Sequence, residues 1–155
     1  MPQILRPALL AIVACTAVAG SALVGAPKAH AIGACPTLVQ GTDFTTFSDL
    51  QTLFTAQRFC DEGSMTVDFT SDFTWPDDAS LTWDGQDHQP LLLRGTGPNT
   101  PTVTGYKAAV IVNNSDGGLT VSNLTIKKGD VGQDNAIFGS VGNVVLNNAT
   151  VLGRA

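Results

Sequence analysis

The segment GGLTVSNLTIKKG, Gly117 to Gly129, returns in altered form as GNVVLNNATVLG, Gly142 to Gly153. Setting Asn123 on Asn148 places Leu119 over Val144, Val121 over Leu146, Thr125 over Thr150 and Ile126 over Val151, an offset of 25 residues. Upstream, AAVIV at Ala108 to Val112 corresponds to NAIFG at Asn135 to Gly139 at an offset of 27, the difference falling in a Gly-rich loop. Each unit is therefore three short strands. SLTWDG, PLLLRG and PTVTG occupy the same three places, and MTVDF begins a still earlier unit. A strand-only period of this length is the signature of a solenoid, in which each repeat covers its neighbour's apolar face. A β-sandwich also shows short strands at regular spacing, but it does not require the units to match position by position.

The repeat has a physical logic. Leu119, Val121, Leu124 and Ile126 alternate with Thr120, Ser122 and Thr125, and Asn123 shifts the phase. The strand can thereby turn a corner and keep its apolar residues inward. One coil cannot bury that surface, so the next must stack on it. The same stacking sets Asn148 on Asn123, predicting a structural pair of side-chain amides at a buried bend.

Before the strands lies one stretch with helical periodicity. Phe47, Leu50, Leu53 and Phe54 recur at spacings of three and four, and Ser48 with Gln51 has the spelling of a capping box. A short helix from about Ser48 to Phe59 is predicted. Residues 1–31 carry Arg6, an apolar run from Ala8 to about Pro27, and small residues at Ala29 and Ala31, which reads as a secretory signal cleaved after Ala31. A retained membrane anchor and a lipoprotein modified at Cys15 are the other readings of this run. Cleavage leaves Cys35 and Cys60 as an even pair in an exported chain, and a disulfide between them is expected. The expected organisation is a signal peptide over 1–31, a cap segment over 32–62 and coils over 63–155. Thirteen acidic against eight basic residues, with a sequence pI near 4.6, remove the electrostatic drive for nucleic-acid binding.

LTVSNLTIKKG and NAIFGSVGNVVLNNATVLG, preceded by FSDLQTLFTAQ and LTWDG, resemble the right-handed parallel β-helix proteins of the pectin-lyase-like kind. Among these the chain is most similar to secreted and surface repeat proteins of the polymorphic outer membrane protein type. Asp134 and Asn135 replace the paired glycines of those coils. The resemblance covers about Phe44 to Gly153 and implies a short helix that plugs the first coil. It also implies two chemistries: lyases with a calcium-binding acidic cluster and an Arg or Lys base, and hydrolases with several Asp residues on adjacent coils.

The residues that could supply such chemistry are Asp77, Asp78, Asp84, Asp87 and His88, with Arg94 following. Carboxylates at this spacing offer ligands to calcium or can share a proton. They also lie in apparent turns, where Asp is favoured for local backbone bonds. Trp83 occupies an inward place in LTWDG, whereas Trp75, beside Pro76, is open to stacking on sugar rings. His88 has no second His or free Cys near it to build a zinc site. Asn113, Asn123 and Asn148 head glycosylation spellings that matter only in a eukaryotic secretory pathway, and Asn123 and Asn148 are expected inside.

The expected architecture is an all-β, right-handed parallel β-helix of about three coils with an N-terminal capping helix. ATVLGRA follows directly on a strand, so the C-terminal end is expected to be uncapped. Val144, Leu146 and Val151 should then form an exposed apolar surface, so that the chain is expected to self-associate, to bind a partner there or to be a fragment of a longer chain. The expected function is a secreted or cell-surface binding or adhesion module without catalysis, its partner a glycan or a surface protein. The alternative is a polysaccharide-active protein or the remnant of one. No cofactor is expected, calcium aside.

Overall fold

The computed structural model describes residues 33–76, 79–85, 89–106, 110–129 and 138–153. The expected signal segment and Asp77, Asp78, Asp87 and His88 lie outside the described residues. In chain order the elements are β1 (Thr37–Val39), α1 (Phe47–Gln57), β2 (Met65–Phe69), β3 (Phe73–Thr74) and β4 (Leu81–Trp83). There follow β5 (Leu91–Gly95), β6 (Thr102–Gly105), β7 (Ile111–Asn113), β8 (Leu119–Ser122), β9 (Thr125–Lys128), β10 (Phe138–Ser140), β11 (Val144–Asn147) and β12 (Thr150–Leu152).

These strands wind through three parallel sheets, one strand per sheet per turn. The first sheet has the order β1-β2-β5-β8-β11, the second β3-β6-β9-β12 and the third β4-β7-β10. The chain is thus a parallel β-solenoid. The registers read from the repeat hold: Leu119 pairs with Val144, Ile126 with Val151 and Ile111 with Phe138. The turn count does not. About four turns are present rather than about three, because β2, β3 and β4 complete a turn of their own. Phe73 meets Val103 and Leu81 meets Ile111 across the long corner Thr96 to Pro101 between β5 and β6, at spacings that the later repeat does not share.

Within each strand, alternate residues point into the solenoid. Met65, Leu91 and Leu119 form one buried column of the first sheet, and Val67, Leu93 and Val121 form the next. Aromatic residues fill the N-terminal end instead. Phe44 sits edge-on to Phe69 and Phe73, with centroids 6.0 and 5.6 Å away, and Phe54 sits edge-on to Trp83 at 5.4 Å. Such pairs add to the burial of large apolar area.

Helix α1 carries Leu50 and Phe54 onto this aromatic layer, both fully buried. Its cap differs from the expectation at Ser48 and Gln51. The N-cap is Thr46, whose hydroxyl accepts from Asp49 N at 3.2 Å, while the Asp49 carboxylate accepts from Thr46 N at 2.9 Å. Hydrogen bonding to the carboxylate, by the Thr46 side chain first and then by the Thr46 and Thr45 backbone N–H groups, holds the Asp49 carboxyl below its ordinary range. Gln51 is occupied elsewhere. Its amide donates to Thr82 O and accepts from Thr82 N, both at 3.2 Å, completing the open edge of β4 as another strand would. A disulfide joins Cys35 to Cys60 and fastens both ends of the cap segment.

At the bend between β8 and β9, Asn123 has φ 50°, and Asn148, one turn on, has φ 48°. Asn tolerates this left-handed conformation better than other residues with a side chain. Asn148 Nδ2 donates to Asn123 Oδ1 at 2.8 Å, so the amide pair forms. It forms outside rather than at a buried bend. Both asparagines are exposed, because the left-handed residue turns its side chain outward while Val121 and Leu124 enter the core. Of the three glycosylation spellings, it is Asn113 that is buried.

The two tryptophans isolate one hydrogen bond. Both are buried, but Trp83 Nε1 donates to Gln89 O at 3.0 Å whereas Trp75 Nε1 has no partner. Trp→Phe removes similar volume at each site. At position 83 it also removes a buried hydrogen bond, worth about 0.5–1.5 kcal/mol net, and at position 75 it removes an unsatisfied donor. Urea unfolding of W75F and W83F should therefore place W83F lower by about 1 kcal/mol. Equal losses would mean that the Nε1 bond of Trp83 contributes nothing.

Candidate functional site

The outer surface along the corner between the first and second sheets carries three adjoining hollows. The largest, of about 750 Å³, lies between the start of α1 and the second sheet, and its lining includes Phe47, Ser48, Asp72, Thr74, Pro76 and Tyr106. The next, of about 640 Å³, shares Asp72 with it and continues over Thr70, Ser71 and the loop Pro98 to Thr102. The third, of about 270 Å³, shares Pro98, Asn99 and Thr100 and ends at Asn123 and Asn148. Together they make a track running lengthwise along the solenoid, from the helical cap to the last turn.

Local sequence explains why the track is polar. Strand residues here must alternate, so Phe73 and Val103 go inward and Thr74, Thr102 and Thr104 face out. The corners add short hydrogen-bonding side chains. Gln40 ties the first corner by accepting from Thr70 N and Ser71 N at 3.0 and 3.1 Å. Asp72 accepts from Thr102 N at 2.7 Å, which fixes its carboxylate at the join between the first two hollows. Glycine makes the corner tight: a Cβ on Gly95 would stand 1.9 Å from the Asn123 carbonyl oxygen.

Aromatic surface is concentrated at the cap end. Tyr106 and Phe47 are half-buried and Pro76 is exposed. Tyr106 lies over Gly129 of the next turn, where a Cβ would fall 2.0 Å from its ring. Trp75, the candidate for sugar stacking, is 1 % exposed and packs on Phe47 at 5.7 Å. Its ring face is therefore core, and it contributes only an edge to the hollow. The rings available to a ligand are those of Phe47 and Tyr106, which the sequence reading passed over.

Of the other candidates, the two that are described, Arg94 and Asp84, are held by different partners. Arg94 on β5 faces Asp68 on β2, with Nε to Oδ1 at 2.7 Å and Nη2 to Oδ2 at 2.8 Å. This two-pronged pair is a rung between turns. The hydrogen bonds to Asp68 hold the Arg94 guanidinium above its ordinary pKa, the reverse of what a proton-abstracting base requires. Asp84, at the end of β4, accepts from the Asn114 amide of the next turn. Among the described residues no group of three or more His, Cys, Asp or Glu could hold a metal ion. Nor is any helix among them long and apolar enough to cross a membrane.

No family model, no curated protein and no solved structure matches this chain. What the molecule does must be argued from its own surface.

Proposed function

We propose that the protein is a secreted or cell-surface binding module that takes an extended glycan along the corner track. The observation that carries this reading is the combination of half-buried rings, Phe47 and Tyr106, with a continuous line of hydroxyl and amide groups. A sugar chain offers the complement: apolar ring faces for the aromatics and hydroxyls for the polar line. The length of the track along the axis favours a polymer over a single residue. Asp72, fixed by the bond from Thr102 N, offers sugar hydroxyls a carboxylate at the join of the first two hollows.

The similarity to pectin-lyase-like and surface-repeat proteins belongs to the same proposal, as do the signal segment, export and an adhesin-like role. The disulfide supports an oxidising compartment, where such bonds persist.

Calorimetry with soluble oligosaccharides chosen from a glycan array tests the reading. Tyr106→Ala and Asp72→Asn should each weaken binding about 10-fold, close to 1.4 kcal/mol, while replacing the exposed Phe59, remote from the track, should not. Release of unsaturated products from uronate polymers, abolished by chelation, would overturn it in favour of a lyase.

A further inference from the structure

One outward position of the second sheet repeats turn after turn. Asp72 stands just before Phe73 and accepts from Thr102 N, so it holds in the first turn the place that Thr102, Thr125 and Thr150 hold in the turns that follow. The residues next to them, Phe73, Val103, Ile126 and Val151, pack into the core, which turns these four outward. Asp72 and Thr150 are exposed, and Thr102 and Thr125 are half-buried. The column starts in the two larger hollows, which share Asp72, and continues beside the corner of Asn123 and Asn148. It offers one hydrogen-bonding group per turn, at steps of about 4.8 Å, the spacing of neighbouring strands.

The neighbouring outward column is irregular. It reads Thr74, Thr104, Lys127 and Leu152. The repeat is therefore a single line rather than a two-dimensional lattice, and a line suits a linear polymer.

Taking the track as a glycan site, as proposed above, we infer that its ligand is an uncharged, fully extended chain of diequatorially 1,4-linked pyranoses, lying with one sugar to each turn. Equatorial bonds at both ends of the ring keep such a chain straight, and each sugar advances by nearly the height of one turn. Successive sugars thus stay in step with Asp72, Thr102, Thr125 and Thr150. The hydroxyls that remain lie largely at the rims of the rings, where this line can reach them, and the ring faces stay free for Phe47 and Tyr106 at the cap end. A chain with an axial bond in every linkage coils instead and falls out of step within a few sugars. Charge adds a second filter. A polyuronate would bring its carboxylates against that of Asp72, and like charges in contact oppose binding.

Calorimetry of the disulfide-bonded protein with tetrasaccharides tests this. The tightest binder among cellotetraose, chitotetraose and mannotetraose should exceed maltotetraose, which has an axial bond in every linkage, and tetragalacturonate by about 10-fold or more. Its affinity should rise with each sugar added from two to four. Thr125→Val removes one hydroxyl from the line and suits a strand. It should weaken binding about 3- to 10-fold, the worth of one hydrogen bond, with unchanged circular dichroism. Asp72→Asn should weaken the neutral tetrasaccharide yet strengthen tetragalacturonate. Equal binding of maltotetraose, or an affinity that Thr125→Val leaves unchanged, would overturn the match of sugar to turn while leaving the track a glycan site. A protein that binds no glycan at all would overturn both.

Discussion

Replacing both Cys35 and Cys60 with serine should destabilise the protein by roughly 3 kcal/mol. The bridge closes a loop of 25 residues, and constraint of the unfolded chain grows with loop length. The loss should be local as well as large. Between the two cysteines lie β1, all of α1 and Phe44, the elements that cover the first turn. Hydrogen exchange in the double variant should accelerate first in α1 and β1 and last in β5 and β8. An unchanged urea midpoint, or exchange that rises evenly along the chain, would show that the bridge does not hold the cap.

Phe54→Ala should cost still more, about 3–5 kcal/mol, the range for truncating a fully buried aromatic side chain. Phe54 is 1 % exposed and is the helix's contact with Trp83. Its removal leaves a cavity between α1 and the first turn that neither a rigid helix nor a hydrogen-bonded sheet can close. Phe59, 46 % exposed just beyond the helix, is the control and should cost under about 1 kcal/mol. Chemical unfolding of the two variants side by side checks this. Comparable losses would mean that the helix is held by its caps and the disulfide rather than by packing. Since a domain's whole stability is about 5–15 kcal/mol, the larger loss brings the cap close to detachment.

The sequence showed the solenoid because strand stacking is written in the order of residues. Once Asn123 is set on Asn148, the pairs Leu119 with Val144 and Thr125 with Thr150 follow, and the sheets keep that register. The first turn is harder to count because its strand in the second sheet, β3, is only two residues long and offers no repeat to align. The helix cap lies at Thr46, two residues before the Ser48 that spells a capping box with Gln51. Asp49 makes the same reciprocal bonds with Thr46.

The site was less legible. Asp68 sits in a strand, MTVDF, whose every residue is buried, and only the register sets it beside Arg94. That partner engages Arg94 through two hydrogen bonds between turns. Tyr106 and Phe47 are far apart in sequence and share a hollow only because the start of α1 comes to lie beside Trp75, just after β3. No spacing rule contains that fact. Trp75 looked free beside Pro76, yet it continues the inward alternation of Phe73 and is core for the same reason Trp83 is.

The stacked registers also make the molecule's length a separate variable from its ends. Leu119 is to Val144 what Leu91 is to Leu119, so a whole turn can be gained or lost between β5 and β11 with every remaining rung still matched. The helix and disulfide at one end would be carried along intact. A lineage bearing this fold can therefore lengthen or shorten its polar track by copying or deleting one unit, without redesigning a core or inventing a cap.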